Sequence, residues 1–274
     1  MRSRYTFRTG VLEAVMIVVA LLFAVPFYLL VNVAFRQEGT TSSALEPSVP
    51  PSFDGVVTAW VDGGLAKALV TSILVTVVSS VIVIAVSAMA SYYLVRGTGW
   101  FSSAWSVVFL GGLMLPLQLA ALPLYTMIRD LGLIGSPWGL VVVYSSIYLP
   151  FSIFLYTLFL RALPGEFEES AQIEGCGPFQ TFRYVVFPLL RPITLTIAIL
   201  NGIAMYNDFF TPLLYLAGSG EQTVTVAITS FVGEYVTEWQ VVFSGLLLAS
   251  IPVLIAFALL QKQVIGGFAG GLKG

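Results

Sequence analysis

Apolar residues run along this chain in long uninterrupted blocks, neither alternating with polar ones nor confined to a narrow stripe. A bilayer core about 30 Å thick is crossed by about 20 predominantly apolar residues in a helix, and six windows of that length carry few or no charges. They are Val11 to about Phe35, with Glu13 near its start; about Leu69 to Leu94; about Trp105 to Ile128; about Leu140 to Leu160; about Ile193 to Leu216, with Asp208 inside it; and about Val241 to Val264. In hydrocarbon every backbone group needs a partner, and windows without two-residue alternation obtain it as helices, not as barrel strands. Arg2, Arg4 and Arg8 precede the first window as they would precede a signal peptide. That window outruns a signal h-region of about 7–15 residues and no small-x-small cleavage site follows before Arg36, so it reads as a retained span.

Composition agrees with the pattern. Of 274 residues, 58% are hydrophobic and 9% charged, with a mean hydropathy of +0.94, against about a quarter charged in an ordinary soluble chain. So few charges cannot clothe a soluble domain of this size. The absence of His and the presence of one Cys exclude a His-based catalytic relay, a His/Cys zinc site and an internal disulfide. Net charge is −2 with no basic run suited to nucleic acid. No GxxxxGK[ST] loop offers ATP a phosphate cradle, and no cofactor is expected in this chain.

Charge then sets the orientation, since the side richer in Lys and Arg stays in the cytoplasm. One side carries nine (Arg2, Arg4, Arg8, Arg96, Arg161, Arg183, Arg191, Lys262, Lys273) and the other three (Arg36, Lys67, Arg129). Both termini, residues 1–10 and the glycine-rich tail 265–274, are therefore expected inside. The external loop 37–66 is rich in Ser, Thr and Pro (TTSSALEPSVPPS). It is long enough to meet an external partner and equally reads as a passive connection. No repeat relates the two halves of the six spans, which weakens the case for a self-sufficient secondary transporter.

The only long cytoplasmic loop, residues 162–192, lies between spans four and five. Pro164 suits a helix start, and Glu166, Glu168 and Glu169 place negative charge at its positive end. Gly175 and Gly177 can stop that helix, and Pro178 suits the first turn of a second one carrying Phe179, Phe182 and Val186. A short helix, a glycine turn and a second helix make an element suited to being gripped by a partner. Ser170, Ala171 and Gly175 are small enough for close approach, and the glutamates offer acceptors to Arg or Lys. The competing reading is an amphipathic connector on the membrane surface.

Glu169-Ser170-Ala171, three residues, Gly175, nine residues and Val185-Val186-Phe187-Pro188 resemble the EAA loop of binding-protein-dependent ABC importer permeases, usually written E-A-A-x3-G-x9-I-x-L-P. Ser170, Val185 and Phe187 are mild departures, and Cys176 stands where an Ala is common. The resemblance extends over most of the chain and is closest to the MalG-type carbohydrate-uptake permeases. ALPLYTMIRDLGLIGSPWGLVVVY resembles that family's outer loop and following span, YNDFFTPLLYL its aromatic-Asn-acid-Phe segment, and QKQVIGGFAGGLKG its glycine-rich tail. It implies that Glu169, Ala171 and Gly175 contact an ATPase subunit, with Glu168, Ser170, Glu174, Pro178, Phe179 and Phe182 completing the coupling surface. It also implies a second permease, two ATP-binding cassette subunits that hold ATP and Mg, and an extracytoplasmic solute-binding protein.

Asp208 is the clearest acid deep inside a span, where a charge costs at least about 2.5 kcal/mol on insertion scales. Asn201 lies about two helical turns before it on roughly the same face. With Tyr206 and Asn207 these residues either line a translocation path, hydrogen-bonding sugar hydroxyls, or tie helices together. No Lys or Arg interrupts the core of a span, which favours a neutral sugar or oligosaccharide over glycerol phosphate, with glycerol phosphate or a polyol as the alternative substrate. Tyr144, Tyr148, Tyr156 and Tyr206 offer rings to stack on sugar faces.

The fold class expected is an all-α membrane protein. A single permease domain, residues 1–274, crosses the inner membrane as six transmembrane helices, with a helix-turn-helix coupling loop between helices 4 and 5. The function expected is a non-enzymatic permease subunit of an ATP-driven importer for a sugar. The alternative is a stand-alone channel or a proton-coupled secondary transporter that titrates Asp208. An intramembrane enzyme is set aside for want of His, a metal cluster or paired intramembrane carboxylates.

Overall fold

The computed structural model describes residues 7–40, 43–114, 116–234 and 238–270. Arg2, Arg4, Lys273 and the last four residues of the tail lie outside them. All regular structure among the described residues is helical: α1 Phe7–Ala34, α2 Asp54–Val61, α3 Leu65–Arg96, α4 Trp100–Met114, α5 Leu117–Asp130, α6 Pro137–Ala162 and α7 Glu166–Ile173. α8 Pro178–Thr181 passes through a π-helical turn, Phe182–Val186, into α9 Phe187–Leu189; α10 Arg191–Asn207, α11 Phe210–Leu216, α12 Val224–Glu234 and α13 Trp239–Gly270 complete the order.

Among the described residues, four helices are long and apolar enough to cross a membrane: α1, α3, α6 and Trp239–Leu259 of α13. Two bent pairs, Trp100–Met114 with Leu119–Asp130 and Pro178–Leu189 with Arg191–Asn207, raise the number to six if each is one crossing. The third and fifth windows are thus not the straight rods that hydropathy suggests. Pro116 is extended (ψ 124°) and heads α5, because proline removes a helical donor and disfavours helix in the residue before it. In the fifth window the helix ends at Asn207, Asp208 is extended (ψ 131°), and a new helix starts at Phe210. The backbone of α13 stays helical through Gly270, so residues 265–270 of the tail prolong the last helix.

The described chain forms two compact units, one within residues 7–66 and 227–251, the other within residues 67–226 and 252–270. In the first, most of α1 is exposed apolar surface suited to lipid, and only its end is buried. There Asn32 Nδ2 donates to the carbonyls of Ala44 and Glu46 at 2.8 and 2.7 Å, and its Oδ1 accepts from Ser48 N at 2.8 Å. Ser52 N donates to Phe35 O, and Phe53 packs edge-on to Phe35. The described part of the loop 37–66 is therefore folded against the end of α1. Close approach is also built into Gly55, where a Cβ would meet Gln240 O at 2.9 Å, and Ser244 Oγ donates to Ala34 O at 2.8 Å.

In the second unit α3 is the spine. Its small polar residues Ser72, Ser79, Ser87 and Ser91 are buried, and small side chains let helices pack closely where lipid gives no hydrophobic drive between them. Ser91 Oγ donates to Ile153 O of α6 at 3.1 Å and Val224 N donates to Ser72 Oγ at 2.8 Å. One apolar cluster joins Val75 and Val83 to Leu140, Tyr144, Met205 and Leu216. A second joins Ala88 to Tyr156, Leu160, Phe182, Val186 and Ile197. Ser136 caps α6 by accepting from Trp138 N, with Pro137 in the first turn. Gly139, two residues on, lies so near Leu133 O that a Cβ would sit 2.3 Å from it. Gly139→Ala is expected to destabilise the purified chain by about 1–3 kcal/mol, whereas Gly202→Ala, whose Cβ meets only Thr76 Cγ2 at 3.9 Å, should be neutral or slightly stabilising. Thermal melting in detergent reads the difference.

Candidate functional site

The loop after α6 builds a compact corner. α7 carries three acids in its first turn, Glu166, Glu168 and Glu169, where the helix dipole favours negative charge. It ends in a full glycine stop: Gly175 has φ +88°, its N–H donates to Gln172 O at 3.0 Å, and Cys176 N donates to Ala171 O at 3.0 Å. These are the two bonds of a Schellman motif, which satisfies the last carbonyls and suits glycine because other residues adopt this φ at a cost. Gly177 N donates to Gln180 Oε1 at 3.0 Å and Pro178 opens α8. The local pattern is a short helix, a left-handed turn and a second helix.

The faces of this corner divide the candidate residues. Glu168 and Ala171, three apart on one helical face, are buried, as are Thr181 and Phe182. Glu169, Ser170, Glu174, Gly175, Pro178 and Phe179 are exposed. A Cβ at Gly175 would meet nothing within 4 Å, so any constraint there from within the chain is the backbone angle. Glu168 is bound within the chain, where Arg96 Nε donates to Oε1 at 2.8 Å and Tyr92 Oη donates to Oε2 at 3.3 Å. The same guanidinium donates through Nη2 to Leu163 O at 3.1 Å and Leu160 O at 3.4 Å, capping the end of α6. Arg96 thus joins α3, α6 and α7. Reading the sequence missed Arg96, for which it offers only a basic residue in the last turn of a span. It also missed Ile173, which is 87% exposed, more so than Phe179 at 66%; its spacing of four from Glu169 was the available signal.

The intramembrane polar residues separate. Asn201 is buried and its Nδ2 donates to Ser152 Oγ of α6 at 2.8 Å. Asn207 Nδ2 turns back to Ile203 O at 2.9 Å. Tyr206 is buried, as are Tyr144 and Tyr156, and Tyr156 Oη donates to Thr194 Oγ1 at 2.8 Å. Asp208 does not continue the helical face of Asn201 because the helix has already ended. Its Oδ1 accepts from Phe210 N at 3.0 Å and Thr211 N at 3.4 Å, while Tyr144 Oη donates to Oδ2 at 3.1 Å. Thr225 Oγ1 donates to Asp208 O at 2.7 Å. The acid holds a break in the chain open, with α6 and α12 as its supports.

The family of binding-protein-dependent transport system inner membrane components matches residues 7–268 of this chain. The chain belongs to that family. The permease is 29% identical over 272 residues, 99% of each chain, to the melibiose/raffinose/stachyose import permease protein MelC of Bacillus subtilis. It is 31% identical over 230 residues to the probable ABC transporter permease protein YurM of the same organism, covering 82% of this permease and 75% of that one. The diacetylchitobiose uptake system permease protein NgcG of Streptomyces coelicolor is 26% identical over 263 residues, 94% of this chain and 87% of its own. In fold, the permease resembles a chain in the crystal structure of a bacterial ABC transporter involved in the import of the acidic polysaccharide alginate. The TM-score is 0.82 at 21% identity, covering 96% of this chain and 98% of that one.

Proposed function

We propose that this permease crosses the inner membrane six times, with both termini in the cytoplasm, as one subunit of an ATP-driven importer. It pairs with a second permease, stands on two ATP-binding cassette subunits that hold ATP and Mg, and takes a sugar or oligosaccharide from an extracytoplasmic binding protein. The observation that carries this reading is the exposed corner of α7, Gly175 and α8, anchored to two long helices through Arg96. The exposed apolar side chains of this corner, Ile173 and Phe179, with the exposed acids Glu169 and Glu174, suit a cleft in an ATPase: rings and aliphatics fill it while the acids meet Arg or Lys. When the two ATPases close on ATP, the gripped corner moves and the helices attached to it follow.

The substrate class rests on chemistry and kinship together. The import permeases of melibiose and diacetylchitobiose are among the relatives, and Asn201, Tyr206, Asn207 and Asp208 supply neutral or acceptor groups in place of the cations a phosphorylated cargo favours. In the conformation described, Asn201 and Tyr206 are buried, so they reach cargo only if the helices around them part.

Copurification tests the reading. The wild-type chain is expected to bring ATPase subunits with it in mild detergent. Ile173→Asp with Phe179→Asp is expected to lose them while the chain stays folded, because neither side chain is buried. Gly175→Trp should weaken docking as well, Gly175→Asn less so, since Asn tolerates a left-handed φ better than other non-glycine residues. A wild-type chain that transports in liposomes with no ATPase present would sink the proposal.

A further inference from the structure

An open groove runs between α3, α4 and α6, and it has a chemical polarity. Its walls are mostly apolar, from Leu94, Phe109, Leu110, Pro150, Ile153 and Leu158, with the hydroxyls of Ser106 and Thr157 among them, and Arg161 is its one charged lining residue. Along α6 the distance from Pro150 to Arg161 is eleven residues, about 16 Å at 1.5 Å per residue. One leaflet of a bilayer has about 15 Å of hydrocarbon, half of about 30 Å. The α6 residues that line the groove therefore span about the depth of one leaflet, with the cation at the end nearer the close of α6. The exposed rings of Trp100 and Trp105 begin α4 near the same end, as expected of an aromatic belt at a membrane interface.

Charge at that end is unbalanced. Arg96 ends α3 there, and Glu168 neutralises it at 2.8 Å. Arg161 is exposed and has no ion pair among the described residues. A carboxylate of this chain is thus not what the guanidinium awaits, and a phosphodiester is a well-matched acceptor for its fork of donors.

We propose that this groove is a binding site for one anionic phospholipid of the cytoplasmic leaflet, its acyl chain lying along α6 and its phosphate on Arg161. Cationic pockets between helices on the cytoplasmic side are a recurring way to hold such headgroups. The leaflet follows from the orientation in the proposed function, and the site rests on that reading. A lipid wedged between α4 and α6 fills space that helix packing leaves open beside the anchor of α7.

The test uses the importer as purified, delipidated and titrated with phosphatidylglycerol or phosphatidylcholine, with retained lipid counted by native mass spectrometry. Phosphatidylglycerol is expected to be held in preference. Arg161→Gln should lower its retention about fivefold or more and that of phosphatidylcholine, whose choline offsets the charge of the same phosphate, by less, and Arg161→Lys should recover a good part of the difference. Leu158→Trp, which fills the groove, should lower retention of both lipids. Equal retention in wild type and Arg161→Gln overturns the site. So does crosslinking of Leu158→Cys to the second permease, which would show the groove covered by protein. Retained lipid is counted on the chain in whatever assembly it is recovered. Loss of selectivity with ATPase subunits still attached therefore removes only the lipid site, and a wild-type chain recovered without them removes the importer reading.

Discussion

Arg96→Gln is expected to uncouple the importer, with ATPase subunits still bound but transport in liposomes reduced about tenfold or more. The guanidinium bonds Glu168 of α7 at 2.8 Å and two carbonyls at the end of α6 from its own place at the end of α3. Removing it cuts the link of α7 to α6, leaves α7 tied to α3 through Tyr92 alone, and leaves Glu168, 8% exposed, without its cation. Stranding a buried charge costs about 3–5 kcal/mol. Because the Arg96 side chain is 29% exposed and Glu168 keeps Tyr92, about half that is the better estimate here. A loss of about 1.4 kcal/mol already corresponds to a tenfold change in an equilibrium. The proposed docking surface, with exposed Glu169 and Ile173, is on the other face of α7, so copurification should survive.

The neighbouring substitutions rank the parts of this junction. Arg96→Lys keeps the charge but not the fork that reaches Leu160 O and Leu163 O, and should be intermediate. Glu168→Gln leaves Arg96 with both carbonyls and should be milder than Arg96→Gln. The double variant should lose less than the sum of the two, by about 1 kcal/mol of coupling. If transport in Arg96→Gln equals wild type, or if the two losses simply add, α7 is not driven through this pair.

What sequence reveals here is whatever depends on neighbours within a few residues. Long apolar windows mark α1, α3, α6 and α13, since hydropathy over about 20 residues is a local sum. The glycine stop at Gly175 and the start at Pro178 were legible because caps are made of adjacent residues. Pro116 was a visible signal that the third window breaks, overridden in a hydropathy reading by the apolar residues around it. The partner of Glu168 lies 72 residues away, and nothing near Glu168 distinguishes it from Glu169, which points outward. Only packing sorts the two. The same limit applies to the path residues: a seven-residue spacing puts Asn201 and Asp208 on one face only if the helix is continuous, and the helix stops between them.

Asp208 offers the sharpest separation of the two transport mechanisms. Its carboxylate makes three contacts within the chain: two backbone N–H groups at the start of α11 and the hydroxyl of Tyr144. Asp208→Ala removes a helix cap, worth about 1 kcal/mol, and leaves the buried Tyr144 hydroxyl without its acceptor, about 1–3 kcal/mol more. A combined destabilisation of about 2–4 kcal/mol is expected in detergent melts, with transport lost in proportion. Asp208→Asn is the informative variant. Its carbonyl oxygen can cap α11 as before and its amide can face the Tyr144 oxygen, so the break keeps its geometry without a titrating group. In an importer driven by ATP in its partners, Asp208→Asn should transport within about threefold of wild type, and the rate should not respond to an imposed proton gradient. A proton-coupled carrier gives the reverse, because a side chain that cannot take up a proton leaves the cycle without its driving ion. Normal melting of Asp208→Asn with transport abolished, together with a wild-type rate that follows an imposed proton gradient, would assign this acid to proton movement, whereas abolition with a gradient-independent wild-type rate would place its carboxylate on the cargo.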